Sequence, residues 1–103
     1  YAINGFKSCY RTEEAFKQEI LLAIILIPLG LYLGESAIER LLLCISIMFV
    51  LLVELLNTAI ERAIDRISFE KHDLSKESKD MGSAAVLLSV LIALFTWGVI
   101  LIR

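Results

Sequence analysis

The sequence has few of the residues that build covalent or metal-held scaffolds. Its 103 residues include two cysteines, one histidine and one proline. Cys9 and Cys44 have neither disulfide nor metal-ligand spacing, so we expect both to act as small buried apolar groups. Internal repeats, low-complexity tracts and a cleavable signal peptide are also missing. The chain opens on Tyr1 rather than methionine, so we expect further residues to precede it.

The common nucleotide-binding signatures are absent as well. There is no G-x-x-x-x-G-K-[ST] segment and no protein-kinase set of motifs. The glycine-containing stretches "LGLYLGE" and "DMGSA" fit neither pattern. If the chain binds a nucleotide, its site must therefore differ from those of P-loop proteins and protein kinases.

Long apolar blocks dominate the sequence. It is 58% hydrophobic, has a mean hydropathy of +0.78, and has no charge within 20–34, 41–53 or 81–102. A spanning helix needs about 20 apolar residues, so the last block qualifies, and the second does if its helix continues past Glu54. The short first block contains Pro28, which membrane helices tolerate. We predict one all-α integral membrane domain over 1–103, with spans at about 20–34, 38–66 and 81–102, the second of which includes a cytosolic extension at its C-terminal end.

The cations are divided unevenly between the two sides of these spans. Eight of the ten lysines and arginines precede the first span or lie between the second and third, leaving Arg40 and Arg103 on the other side. Because cationic loops stay cytosolic, we expect the N-terminus and the 67–80 loop to face the cytosol. Three spans put the N-terminus and Arg103 on opposite sides of the membrane, whereas two or four spans would put them on the same side.

The N-terminal segment 1–18 has the pattern of a surface helix. Ile3, Phe6 and Tyr10 recur at i, i+3 and i+7 with polar residues between them. Such a pattern is typical of an amphipathic helix that lies in the membrane interface. We expect Thr12 to cap a new helix that leads into the first span.

The connections between the spans are short and polar. In "LGESAIER" (33–40), we expect Gly34 to end one helix and Ser36 or Glu35 to start the next. The polar stretch 67–80 is predicted to be a cytosolic loop. Gly82 and the serine after it bring small residues to the start of the third span, where a helix or a ligand can approach closely.

A polar stripe runs along the second predicted span. Glu54, Asn57, Glu61 and Asp65 fall on one face of a helix that turns about 100° per residue. Glu61 lies about 10 Å and Asp65 about 16 Å from Glu54 along the axis. A carboxylate in hydrocarbon is unfavourable by several kcal/mol unless it is neutralised or paired. The stripe therefore indicates a water-accessible groove between helices.

A structural interpretation of this stripe stays open. Asn57 alone can hydrogen-bond to a neighbouring helix, and Arg62 or Arg66 can pair with acids at the headgroups. For Glu54 the functional interpretation is favoured, because no cation of its own helix reaches its face and intramembrane acids are functional candidates.

More charged side chains are expected at the same cytosolic level. They are Glu13, Glu19, Lys79 and Asp80. Magnesium commonly binds one or two carboxylates plus phosphate oxygens, so Glu13 and Glu61 would suffice to hold Mg²⁺ on a polyphosphate. Lys79 would then contact the phosphates, and Glu54 would accept a proton from a lipid hydroxyl.

Three segments resemble those of a known family. They are "EEAFKQE" (13–19), "ELLNTAIERAIDR" (54–66) and "EKHDLSKESKDMGSAAV" (70–86). With the three-span layout, the chain resembles the small bacterial integral-membrane diacylglycerol kinases over essentially its whole length. The resemblance implies a homotrimer in the bacterial cytoplasmic (inner) membrane, with active sites at subunit contacts. It implies transfer of the γ-phosphate of MgATP to diacylglycerol, giving phosphatidic acid, and no nucleic-acid partner.

The resemblance also implies roles for individual residues. Glu54 matches the general base, Glu13 and Glu61 match the Mg²⁺-binding carboxylates, and Asn57 and Asp65 match supporting polar positions. The nucleotide-contacting positions are Tyr1, Glu13, Glu61, Glu70, Lys71, His72, Lys79 and Asp80. The lipid-substrate positions are Ala15, Phe16, Lys17, Gln18, Glu19, Arg40, Glu54, Ser83 and Trp97. Without the resemblance, we would interpret His72 as a solvated loop histidine and Trp97 as an interfacial anchor.

Three alternatives stay open. The undecaprenol kinases share the E-x-x-N-T-A-I-E core and use a polyprenol acceptor, although Gln18 and Glu19 resemble the diacylglycerol branch. A small transporter or proton-conducting assembly would use the stripe to line a pore. A purely structural membrane scaffold would be stabilised by the substitution Glu54→Leu.

Overall fold

The computed structural model describes residues 1–67 and 73–103, and these form four helices. They are α1 (Ala2–Thr12), α2 (Glu14–Leu33), α3 (Ala37–Ile67) and α4 (Asp73–Ile102). Three stretches are long and apolar enough to cross a membrane: Glu14–Leu33, Ala37–Arg66 and Leu74–Ile102. The all-α architecture and the number of candidate spans agree with the sequence prediction.

Helix α3 is the centre of the bundle, because it packs against both α2 and α4. Gly30 of α2 allows a close approach there, since an added Cβ would lie 3.0 Å from the Leu43 Cβ and 3.5 Å from the Trp97 ring. The Trp97 indole N–H donates to the Leu43 carbonyl at 3.2 Å and to the Ser46 Oγ at 3.1 Å. Trp97 is thus hydrogen-bonded to α3 inside the bundle, and its interpretation as an interfacial anchor stays a prediction.

The first two helix boundaries differ from the prediction. The surface helix was expected to reach residue 18, but α1 ends at Thr12 because Glu13 is extended, with φ −113° and ψ 111°. Thr12 does not start the next helix, since its hydroxyl donates to the Ser8 carbonyl at 2.8 Å and Glu13 is the N-cap of α2. Helix α2 therefore begins at Glu14, before the apolar block that the prediction used as its boundary.

The predicted loop 67–80 is also partly wrong, because residues 73–80 belong to α4. Lys76 and Asp80 pair across one helical turn at 2.8 Å. Such i,i+4 pairs stabilise solvent-exposed helix. Polar composition indicated a segment outside the apolar part of the membrane, but it does not distinguish a loop from an exposed helical turn.

The connection between α2 and α3 closes the end of the bundle opposite α1. The Ser36 Oγ accepts the Glu39 backbone N–H at 3.2 Å, which confirms Ser36 as the start of α3. Arg103 donates to the Leu33 carbonyl at 3.0 Å, and its Nε lies 2.9 Å from the Glu35 Oε2. This guanidinium, by hydrogen bond and charge, holds the pKa of the Glu35 carboxyl below its usual range.

Helix α1 docks on α3 through Cys9. The side chain is buried, and its Sγ lies 3.8 Å from the Thr58 Oγ1. Burial raises the pKa of the Cys9 thiol. The expectation of a small buried group is confirmed for Cys9, while Cys44 is half-buried between α2 and α3, with its Sγ 3.5 Å from the Ile27 carbonyl oxygen.

Candidate active site

A polar cavity of about 260 Å³ lies where α1 and α2 meet the second half of α3. Its wall combines the break between α1 and α2, the stripe of α3, and the start of the apolar part of α4. The lining residues are Glu13, Ala15, Glu54, Asn57, Thr58, Glu61, Ser83 and Val86. The structure thus brings together Glu54 and Glu61, which lie on separate turns of α3, and Glu13, which is 41 positions before Glu54. Glu54 and Glu61 line one cavity, as the polar stripe predicted.

The buried carboxyl of Glu54 lies next to a second carboxyl. Glu54 is only 8% exposed, and its neighbour is the Glu19 side chain of α2. The Glu19 Oε2 is also buried and has no hydrogen-bond partner within residues 1–67 and 73–103. Two carboxyl groups from separate helices therefore meet beside the cavity. Sequence reasoning placed Glu19 at the level of Glu61 and missed this proximity.

Asn57 links the stripe to α4. Its Nδ2 donates to the Glu61 Oε1 at 3.2 Å, one helical turn away. A Cβ added to Gly82 of α4 would overlap the Asn57 Oδ1. That oxygen is buried and has no hydrogen-bond partner among the residues that the structure describes. The close approach expected at Gly82 is thus an approach of α4 to Asn57, and it leaves a buried acceptor beside the acids.

Two basic residues bond acids at this end of the bundle. Lys79 of α4 pairs with Asp65 of α3, with Nζ and Oδ1 2.5 Å apart. Arg62 of α3 lies 3.5 Å from the Glu13 Oε1 and also donates to hydroxyls of α1. Sequence reasoning had considered Arg62 only as a headgroup-level ion-pair partner. The signal that could have identified its neighbours is its position four residues after Thr58, on the α3 face that meets α1.

The oxygen donors of the cavity fit a magnesium ion shared with a phosphate. Within the described ranges, no group of three or more His, Cys, Asp or Glu side chains could hold a metal. Mg²⁺ bound to phosphates commonly needs only one or two protein carboxylates. Glu13 and Glu61 line the same cavity, and the buried Asn57 Oδ1 beside them is unpaired among the described residues. This donor set of carboxylates and an amide oxygen suits a hard cation.

Positions assigned to the lipid substrate divide into several environments. Ala15 and Ser83 line the polar cavity, and Phe16 is buried in the packing of the chain. Lys17 lies over the Tyr10 ring, 5.5 Å from its centroid. Gln18 is exposed. Of the contiguous segment 15–19, only Ala15 therefore reaches the polar cavity and only Glu19 reaches the Glu54 carboxyl.

An apolar groove of about 370 Å³ runs between α2, α3 and α4. Glu19 lines it near the polar cavity, and Trp97 lines it towards the opposite half of the bundle. Between them the wall is aliphatic, including Leu22, Leu26 and Val50. Glu19 therefore contacts the Glu54 carboxyl and also borders a surface suited to a hydrocarbon chain.

Other predicted site residues lie away from the cavity. Tyr1 is fully exposed, about 18 Å along α1 from Glu13. The Asp80 side chain is 64% exposed and pairs with Lys76. Arg40 lies near the opposite end, about 21 Å along α3 from Glu54, where its Nε donates to the Leu31 carbonyl at 3.2 Å. Glu70, Lys71 and His72 fall outside the described residues.

These features define a class of protein: a polytopic membrane protein with a carboxylate site at one end of its spanning helices. The family model for prokaryotic diacylglycerol kinase matches residues 1–101. A diacylglycerol kinase of Haemophilus influenzae is 46% identical over 101 residues, covering 98% of this chain and 86% of that protein. The Pseudomonas aeruginosa diacylglycerol kinase is 45% identical over 102 residues, covering 99% and 83%. The Escherichia coli K12 diacylglycerol kinase is 43% identical over 101 residues, covering 98% and 83%.

The chain belongs to the prokaryotic diacylglycerol kinase family. It is a membrane enzyme of the lipid kinase class, and the resemblance drawn from the three sequence segments is confirmed.

Proposed function

We propose that this chain transfers the γ-phosphate of MgATP to the hydroxyl of diacylglycerol, giving phosphatidic acid, at the cytosolic face of the inner membrane. The proposal includes a homotrimer with active sites at subunit contacts, as the family resemblance implies. Its main support is the position of Glu54, whose buried carboxyl lines the same cavity as Glu13 and Glu61. The proposed proton acceptor, Glu54, and the two acids proposed to bind Mg²⁺ and phosphate, Glu13 and Glu61, thus line the same cavity.

Glu54 acts as the general base in the proposed reaction. Its carboxylate accepts the proton of the lipid hydroxyl while that oxygen bonds to the γ-phosphorus and the bond to the ADP oxygen breaks. The neighbouring Glu19 carboxyl would then offer the proton a second acceptor. Glu13 and Glu61 would hold Mg²⁺, which supplies neutralisation of phosphate charge when bound.

The apolar groove supports a lipid acceptor. A hydrocarbon chain lying between α2, α3 and α4 would contact the aliphatic wall from Trp97 to Glu19. Its polar end would then reach the Glu19–Glu54 pair. Because this wall is as apolar as the lipid tails, a chain would lose no hydrophobic burial on entering the groove.

Exposed apolar side chains on α1 support an interfacial, cytosolic position for that helix. Ile3, Phe6 and Tyr10 are 69%, 51% and 42% exposed. They share one helical face, while Lys7 and Arg11 are also exposed. Aromatic and aliphatic groups beside cations are typical of helices that lie against headgroups.

The substitution Glu54→Gln tests the proposal. Purified protein in mixed micelles, supplied with MgATP and a short-chain diacylglycerol, should form phosphatidic acid. Glu54→Gln should lower the turnover number at least 100-fold, because general base catalysis contributes about 10²–10⁴-fold, while the melting temperature stays unchanged. Glu77→Gln, at an exposed position of α4, is the matched control and should retain full turnover.

An acceptor panel separates the alternatives. Faster phosphorylation of undecaprenol than of diacylglycerol would contradict the proposed acceptor. Ion flux in liposomes without ATP would favour the transporter interpretation. Near-normal turnover of Glu54→Gln would remove the general-base assignment.

A further inference from the structure

Arg62 connects α3 to the last turn of α1 and to the residue at the helix break. Its Nη1 donates to the Ser8 Oγ at 3.1 Å, and its Nη2 donates to the Thr12 Oγ1. The same Nη2 lies 3.5 Å from the Glu13 Oε1. One guanidinium therefore contacts two hydroxyls of α1 and the carboxylate of the residue that follows this helix.

The two hydroxyls are suited to hold this guanidinium. The Thr12 hydroxyl donates its proton to the Ser8 carbonyl at 2.8 Å, so its lone pairs remain available to accept from Arg62. Arginine has five donors in a rigid planar fork, and it can bond several acceptors at once. The hydroxyl contacts fix where the guanidinium lies.

The Glu13 backbone is held by both neighbouring helices, since its N–H donates to the Cys9 carbonyl at 2.9 Å and its carbonyl accepts from the Lys17 N–H at 3.1 Å. These bonds leave the direction of its side chain to other contacts. Its backbone is extended, and it is the N-cap between α1 and α2. The Cys9–Thr58 contact docks α1 on α3 one turn earlier, but it does not reach Glu13. Arg62 follows Glu61 directly in α3, so a contact from Arg62 to Glu13 ties together the two carboxylates proposed to hold Mg²⁺.

We propose that Arg62 is a positioning residue that sets the Glu13 carboxylate opposite Glu61 by anchoring the end of α1 on α3. This inference rests on the proposed function, since it assigns Arg62 to the same metal–nucleotide site. The Arg62–Glu13 ion pair is itself weak, because the two side chains are 44% and 37% exposed and water screens their charges. Glu13 therefore stays free to bind a cation while the hydroxyl contacts keep α1 in place.

The test measures Mn²⁺ binding by electron paramagnetic resonance in the presence of a non-hydrolysable ATP analogue, together with kcat and the Mg²⁺ dependence of turnover. Arg62→Ala should weaken Mn²⁺ binding about tenfold and raise the Mg²⁺ requirement by a similar factor, with a smaller change in kcat. Arg62→Lys keeps the charge but cannot bond both hydroxyls and Glu13, so its effect should be intermediate. Arg66→Ala, one turn later on α3, is the matched control and should bind Mn²⁺ normally.

A second variant separates position from charge. Ser8→Ala combined with Thr12→Val removes the two hydroxyls and leaves Arg62 and Glu13 intact. It should weaken Mn²⁺ binding several-fold and should add little to Arg62→Ala, because both variants remove the same anchoring contact.

Each outcome has a defined meaning. Normal Mn²⁺ binding in Arg62→Ala, whatever its melting temperature, overturns the positioning role. A silent Ser8→Ala/Thr12→Val protein beside a weakened Arg62→Ala protein shows that Arg62 acts without the two hydroxyl contacts, and this also overturns the positioning role. If the unsubstituted protein binds no Mn²⁺ with the nucleotide analogue and Glu61→Gln changes nothing, the proposed function fails together with this inference.

Discussion

Single side-chain contacts determine how the acids of the cavity are presented. Asn57 donates to Glu61 at 3.2 Å, Lys79 pairs with Asp65 at 2.5 Å, and the Glu19 carboxyl lies next to Glu54. The neighbour therefore differs along the stripe: a second carboxyl at Glu54, a neutral amide donor at Glu61 and an ammonium at Asp65. These neighbours agree with a base at Glu54 and a cation site at Glu61.

At this scale, Glu61→Gln tests the metal site. Glutamine keeps a side-chain oxygen for the Asn57 N–H, so the local packing is retained and only the charge is lost. We expect the apparent Mg²⁺ constant to rise about tenfold, in line with the loss of one charged ligand. The measurement is turnover across a Mg²⁺ series at saturating ATP, with Glu77→Gln as the control. An unchanged Mg²⁺ dependence would count against Glu61 as a ligand.

Glu35 gives a pH prediction at the opposite end of the bundle. Arg103 lowers the pKa of Glu35 in the folded protein, so the contact stabilises the fold above the ordinary glutamate pKa of about 4.3 and is lost as the pH falls through the lowered value. Nuclear magnetic resonance of ¹³C-labelled glutamate should show Glu35 titrating below its usual range. Arg103→Gln should return this pKa to the ordinary glutamate range. Equal titration in both proteins would show that the ion pair does not form.

At the scale of helices, the pairing of α3 and α4 depends on one glycine at the cavity. Gly82 lies against the Asn57 side chain, whereas a Cβ at Gly98 would meet nothing within 4 Å. Both glycines are inside α4. The two positions therefore share a helix and differ only in the space around them, which separates helix propensity from contact with α3.

Gly82→Ala and Gly98→Ala form a matched pair. Alanine gains up to about 1 kcal/mol over glycine in a helix, so Gly98→Ala should raise the melting temperature and keep full turnover. At Gly82 the new methyl must displace the Asn57 amide from Glu61, so we expect no gain in stability and a several-fold loss of turnover. Thermal unfolding and initial rates measure the two effects. Equal behaviour of the two variants would show that α4 does not approach Asn57 this closely.

At the scale of the whole molecule, the chain buries little of its own apolar surface. Within the most apolar 18 residues of each candidate span, 17%, 22% and 6% are buried in α2, α3 and α4 respectively. In water such a surface would drive association, but in a bilayer lipid tails or other subunits cover it without that penalty. The low burial of α4 agrees with the proposed assembly of several chains, and it makes the bilayer part of what holds the fold.

Three spans place the two ends of the bundle on opposite sides of the membrane. Ala2 and Ala37 are exposed at these opposite ends. In a background with Cys9→Ala and Cys44→Ala, a membrane-impermeant maleimide added to intact spheroplasts should label Ala37→Cys and not Ala2→Cys. Inside-out vesicles should show the reverse. Labelling of both from one side would contradict the three-span topology and the cytosolic N-terminus.

The sequence by itself determined the spans, the spacing of the acidic stripe and the family. Hydrophobic length is set by the bilayer, and the period of a helix is set by its backbone, so both can be read without knowing any neighbour. Composition did not separate helix from loop at 73–80, because exposed helical turns and loops are equally polar.

Only the tertiary structure decided which group each polar residue meets. Glu19 meets Glu54, Arg62 meets the end of α1, and Trp97 turns inward to α3. These pairs join residues 35 to 54 positions apart. Their contacts depend on how the faces of separate helices pack, and this packing is a property of the bundle that no local pattern encodes.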